Sequence, residues 1–209
     1  MLVPVDTLVA FFAASVALSL APGPDNIFVL TQSALYGRAA GIFVTLGLCI
    51  GLIVYTLMVA FGVAAIFQTS VFAFRVLSLL GAAYLSFLAW QAFRSEPLTP
   101  SVQGGNSLSP CKLFLRGVVM NLSNPKVGIF FLAFLPAFAD PSKGLLQVQL
   151  LFLGGIFIVA ALSVFSLIAC LSGFLGEYLG HSAKAQRLIS QVAGIVFIAL
   201  ALRLLLIAF

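Results

Sequence analysis

Two charged residues stand where charge is costly. Asp25 lies in Ala21-Pro22-Gly23-Pro24-Asp25-Asn26, and Lys126 lies in Asn121-Leu122-Ser123-Asn124-Pro125-Lys126. Each motif falls near the middle of a long apolar stretch. If those stretches cross a bilayer, each charge costs at least about 2.5 kcal/mol to insert at that depth. A carboxylate and an ammonium placed there can hold a charged ligand, carry a proton, or pair with each other as a structural bridge.

The neighbouring prolines bear on that choice. Proline removes an N–H donor and disfavours helical geometry in the residue before it. Pro22, Gly23 and Pro24 therefore stop a helix near Leu20 and restart one near Pro24. Asn124 can cap a second restarted helix that has Pro125 at its first position. Each break frees carbonyls on one side, near Leu18 to Ala21 for the first, and amides on the other, near Asp25 to Phe28. Lipid cannot satisfy such groups, so they must face protein or a wet cavity. A plain proline kink is the simpler reading of either motif taken alone. It does not require the two charges. Asn26, Thr31, Gln32, Asn121 and Ser123 flank the breaks and either line the same cavity or join helices to one another. Tyr55 is a further cavity-lining candidate, as is Tyr84.

The elements that must position these residues follow from composition. Of 209 residues, 63% are hydrophobic and only 7% are charged, against about a quarter charged in soluble domains. Bilayer is the solvent that accommodates such a surface. Six apolar stretches run roughly over Thr7–Leu35, Ile42–Phe67, Val76–Phe93, Leu113–Phe138, Leu145–Leu175 and Leu188–Ile207. Each can span a hydrocarbon core of about 30 Å, and none alternates as a transmembrane β-strand would. Gly37-x-x-x-Gly41 and Gly47-x-x-x-Gly51 suggest close helix packing. The N-terminus carries Asp6 and no basic region, so it reads as the approach to the first span rather than as a cleaved leader.

The expected fold is an all-α membrane protein of one domain, residues 1–209. The Pro-, Gly- and Ser-rich stretch within residues 95–112 divides it into halves of three spans, 1–94 and 113–209. One constant shift lays Phe11 on Phe114, Pro22 on Pro125, Gly41 on Gly144 and Gly51 on Gly154. A slightly longer shift lays Arg75 on Arg187 and Ser78 on Ser190. Three spans is an odd number, so the halves would be inverted-topology repeats with broken helices in spans one and four. Arg38, Arg94, Lys112, Arg116, Lys184 and Arg187 gather on one side, against Arg75, Lys143 and Arg203 on the other. The first set is expected in the cytoplasm and both termini in the periplasm.

Several functions are disfavoured. The net charge is +5, without a basic cluster dense enough to follow a nucleic acid backbone. Cys49, Cys111 and Cys170 are scattered, and the lone His181 falls in an expected loop. No metal or haem site and no nucleophile–base pair for a membrane enzyme emerges.

APGPDNIFVLTQSALYGRAAG followed by GVVMNLSNPKVGIFFLAFLPAF strongly resembles the LysE/RhtB family of bacterial amino-acid exporters. The resemblance covers nearly the whole chain, and the two motifs together are specific. It implies an inner-membrane exporter driven by the proton motive force, with no cofactor and often a homo-oligomer. The family motif residues fall on Pro22, Gly23, Pro24, Asp25 and Asn26, then on Asn124, Pro125 and Lys126. On this basis the expected substrate is a small zwitterion held at midplane between spans one and four. Lys126 and a half-helix N-terminus would take its carboxylate, while unwound carbonyls and Asp25 would take its ammonium. A cationic amino acid calls for a second buried carboxylate. Only Asp25 is available, with Glu177 near a span end, so neutral substrates resembling threonine or homoserine are favoured. The alternatives are a cationic amino-acid exporter, a passive channel, and a metal-ion exporter, the last disfavoured by the absence of soft ligands.

Overall fold

Where the first span meets Pro22, Gly23 and Pro24, its helix ends and restarts where expected. In the computed structural model, which describes residues 3–63, 71–95, 108–172 and 183–208, α1 spans Val5–Leu20 and α2 spans Pro24–Tyr36. The two meet at 61°. Span four breaks in the same manner. Helix α5, Pro110–Leu122, gives way to α6, Pro125–Ile129, and the bend is 53°. Beyond α6 the backbone loosens into a π-helical turn, Phe130–Phe134, and a 3-10 turn, Leu135–Phe138. Pro136 sits at the head of that last turn, where no helical N–H is required of it.

The unbroken helices are α3 (Arg38–Met58, continuing as a π turn to Val63), α4 (Val71–Arg94), α7 (Leu146–Cys170) and α8 (Ala183–Ala208). Among the described residues, four segments are each long and apolar enough to cross a membrane, and the count is six if each bent pair forms one span. No strand occurs among the described residues. Residues 96–107 of the expected linker, Glu177 and His181 lie outside the described residues.

Packing gathers the broken spans at the centre. Helix α3 lies against α5, α7 and α2, and α7 lies against α1 as well. Helices α4 and α8 pair with each other, α4 touching the π turn of span four and α8 touching α1. Outward faces are apolar, with Leu206 82% and Phe72 77% exposed. That is the surface expected of helices bathed in lipid.

The α3–α5 contact is close because both helices present glycine to it. A Cβ on Gly47 would strike the carbonyl of Phe114, and one on Gly117 would strike the carbonyl of Val44. Gly51 accommodates the side chain of Asn121, and Gly41 accommodates Ser33 and Ala169. Gly37 departs from the packing role expected of it. It is a turn residue between α2 and α3 at φ 84°, with nothing near the place a Cβ would occupy. Only a residue free of the Cβ penalty takes that conformation readily. Gly144, laid on helical Gly41 by the constant shift, is likewise a turn glycine at φ 139°. That pair does not occupy equivalent places.

The turn before α7 is tied down by Gln149. Its Nε2 donates to the carbonyls of Asp140 (2.8 Å) and Gly144 (3.3 Å), and its Oε1 accepts from the Asp140 N–H at 2.9 Å. Hydrogen bonds from the Ser142 hydroxyl and N–H hold the Asp140 carboxyl below the usual carboxylate range.

Two alanine substitutions separate packing from helix propensity. Gly117→Ala forces α5 off α3, at a cost of about 1–3 kcal/mol for overpacking. Gly155→Ala, on the exposed face of α7 with nothing near its Cβ position, is neutral or stabilising by about 1 kcal/mol. Thermal denaturation of the purified protein in detergent reads both. Equal melting temperatures for the two variants would refute the close α3–α5 contact.

Candidate functional site

A helix that ends leaves four carbonyls without partners, and in lipid each must find one. At the end of α1, three of the four are answered by side chains. Lys126 Nζ donates to the carbonyls of Leu18 (3.3 Å) and Ala21 (3.0 Å). Asn26 Nδ2 donates to Ser19 O at 2.6 Å. Lys126 thus reaches across from span four to close the break in span one. Gly23 makes room for it, since a Cβ there would sit 3.1 Å from Nζ. The backbone at Gly23 is extended, at φ −171° and ψ 174°, so space rather than conformation is what glycine supplies.

The break in span four is closed in turn. Asn124 Oδ1 accepts from the Lys126 N–H at 3.0 Å, capping α6 as expected, with Pro125 at the first helical position. Tyr55 from α3 donates its hydroxyl to Leu122 O at 2.9 Å. Its ring packs against Phe131 and against the face of Gly128, whose lack of a Cβ leaves space for the hydroxyl.

One hydrogen bond joins the two breaks through side chains. Asn124 Nδ2 donates to Asp25 Oδ2 at 2.9 Å. Asp25 is 3% exposed, and its second oxygen, Oδ1, is buried without a partner. Asp25 and Lys126 do not form a direct ion pair, so the structural bridge weighed from sequence is absent. They act on each other through space. Each is the second residue of its half-helix, directly after Pro24 or Pro125. Pro24 and Pro125 each open their half-helix, while Pro22 lies before the restart.

The remaining candidates divide. Ser123 is exposed, together with Pro22, Pro24, Leu122 and Pro125, so the breaks reach the surface of the bundle. Gln32 is buried two turns below Asp25 on the same face of α2, its Oε1 unpartnered. Asn121 faces Gly51 within the α3–α5 contact. Its Oδ1 is buried there without a hydrogen-bond partner.

Two features were missed from sequence. Phe11, Phe130, Phe131, Phe134, Phe138 and Phe157 form a continuous buried cluster, with ring centroids 4.6–5.3 Å apart along the chain of contacts. It fills the end of the bundle where α1 begins and span four ends. Arg203, read as an end charge, lies with its guanidinium 3.4 Å from the centroid of Phe138 and feels Asp6 at the start of α1. The run Phe130-Phe131 to Phe134 and Phe138 was visible, but nothing in it announced the π turn that presents three of these rings inward and the 3-10 turn that presents the fourth.

The Asn124 bridge can be isolated. Asn124→Asp keeps the cap acceptor but replaces the donor facing Asp25 by a second oxygen. Losing a hydrogen bond to a charged group costs about 1.5–3 kcal/mol, and the like charge adds to it. Asn124→Ala loses both cap and bridge. Melting temperatures should fall for both variants. A wild-type value for Asn124→Asp would show that the bridge does not hold the breaks together.

Comparison with other proteins fits this arrangement of broken apolar helices. Residues 16–207 match the family LysE type translocator. The chain is 31% identical to a homoserine/homoserine lactone efflux protein of Salmonella typhimurium, over 88% of this chain and 83% of that one. It is 24% identical to a leucine efflux protein of Salmonella choleraesuis, over 93% of this chain and 92% of that one. It is also 32% identical to an uncharacterized membrane protein of Vibrio cholerae serotype O1, over 64% of this chain and 65% of that one. No solved structure matches. With the family match running over nearly its whole length, this chain belongs to the LysE type translocators and is a transporter, not an enzyme.

Proposed function

We propose that this protein exports small neutral amino acids from the cytoplasm, with the substrate seated where the two broken spans meet. The observation that carries the reading is the junction itself. Asp25, from one break, is bridged to Asn124 of the other and keeps an unpartnered buried oxygen. A buried acceptor with no partner is costly, and an ammonium group is the partner it suits.

The relatives' substrates agree with an ammonium-directed site. Homoserine, homoserine lactone and leucine share an ammonium group beside a carbonyl. The lactone has no free carboxylate, so recognition that covers all three must rest on the ammonium end. The junction offers one carboxylate, Asp25, which favours neutral over cationic amino acids.

Inverted repeats supply the framework of this reading. Both second half-helices begin on proline with a charge next, the bends are 61° and 53°, and Ser78 and Ser190 are both buried. Span two packs on the first half of span four, as span five packs on the first half of span one. With the Arg- and Lys-rich connections in the cytoplasm, both termini face the periplasm and the membrane is the bacterial inner membrane. The phenylalanine cluster then seals the outward path. Alternating access would open it and close the inner side.

Proton coupling is assigned to Asp25. The carboxyl can exchange a proton when the junction changes sides, which a carrier driven by the proton motive force requires. Asp25→Asn keeps size and hydrogen bonding but cannot titrate, and it should abolish uphill export driven by a pH gradient in proteoliposomes. Asp25→Glu should restore it in part. Full gradient-driven export by Asp25→Asn would remove Asp25 from the coupling step.

A further inference from the structure

The carbonyls freed at the end of α1 were expected to receive the substrate's ammonium, with Lys126 receiving its carboxylate. The structure has Lys126 in a different place. Its Nζ sits on the carbonyls of Leu18 and Ala21, where an ammonium group would sit. We infer that Lys126 is an internal stand-in for the substrate's ammonium group, which it occupies the site for and yields to when substrate binds. This inference rests on the export reading above.

Four observations support it. First, the ligands of Nζ are two main-chain carbonyls, which suit any ammonium and carry no preference for lysine. Second, Asp25 is near enough for its charge to act on Lys126, yet its Oδ1 stays unpartnered and buried. A residue meant only to neutralise Asp25 would have closed that gap. Third, Gly23 leaves space at Nζ that any side chain would fill. Fourth, the other free carbonyl answered nearby, Ser19 O, is taken by Asn26, a neutral donor from the same span. The charged donor is the one that reaches in from the other broken span.

The consequence for transport is energetic. An empty carrier with bare carbonyls at midplane would have to reorient with unpaired backbone groups in a low-dielectric site, which is unfavourable. With Lys126 seated on them, those two carbonyls are satisfied in the empty form, which can return without cargo. Substrate, bringing its own ammonium, releases Lys126. A carrier built this way runs net export rather than obligatory exchange.

Lysine labelling in the intact wild-type protein tests the inference. Reductive methylation in proteoliposomes, read by peptide mass spectrometry, reports Lys126 against the exposed Lys112, Lys143 and Lys184 as internal standards. Three probes are added in turn: homoserine, homoserine lactone, and the hydroxy acid in which a hydroxyl replaces the ammonium of homoserine. Homoserine and its lactone should each raise Lys126 labelling several-fold relative to the standards, and the hydroxy acid should leave it unchanged. Counterflow of labelled homoserine, and of the other common amino acids, is measured on the same vesicles. Counterflow with unchanged Lys126 labelling overturns the stand-in alone. Counterflow with Lys126 protected does the same, because the substrate carboxylate would then be seated on Nζ. No counterflow of any amino acid removes the export reading, and the inference with it.

Discussion

Peptide groups that lose their helical partners inside a membrane have no water to turn to, and the architecture of this protein depends on how it answers that constraint. Two apolar helix pairs are interrupted at bends of 61° and 53°. The ends they expose are satisfied across the interface between them. Lys126 from span four closes the carbonyl end of α1, Tyr55 closes the carbonyl end of α5, and Asn124 caps α6 while holding Asp25. Neither break is stable alone in lipid. Span four supplies the cation that closes the first break and the amide that holds Asp25, while α3 supplies the hydroxyl that closes the second, and this is why charged residues are tolerated there.

The rest of the fold serves that contact. Glycines on α3 and α5 let the two helices approach until backbone meets backbone. The buried phenylalanines behind α6 pack together at the end of the bundle beside it. The π and 3-10 turns that carry them relax the helical ladder within the second half of span four. Such π turns inside helices are frequent at functional positions.

Much of this was legible in the sequence, and for local reasons. Proline dictates its own surroundings, so the end at Leu20, the restart at Pro24 and the cap at Asn124 could each be placed to the residue. What depends on three-dimensional approach could not. Lys126 and Asp25 were expected to share a site, but sequence gives no sign that Lys126 would bond carbonyls rather than a carboxylate. Asn121 looked like a cavity residue because it is polar; its burial against Gly51 depends on the α3–α5 distance. Gly37 fitted a small-residue packing motif, and only its positive φ reveals a turn. Arg203 was counted with the end charges, since its place over Phe138 requires α8 to lie beside the end of span four.

The contact between Lys126 and the end of α1 is the feature from which the rest follows, and it can be measured in a bilayer. Solid-state NMR of protein labelled with nitrogen-15 at lysine side chains and carbon-13 at alanine carbonyls reports dipolar coupling between Lys126 Nζ and the Ala21 carbonyl. Without substrate, that coupling should be strong, as a 3.0 Å hydrogen bond requires, and it should vanish in Lys126→Met. In a second sample with carbon-13 at aspartate side-chain carboxyls instead, an Nζ coupled to the Asp25 carboxyl, with no coupling to Ala21 in the first, would contradict the arrangement of the two breaks described here.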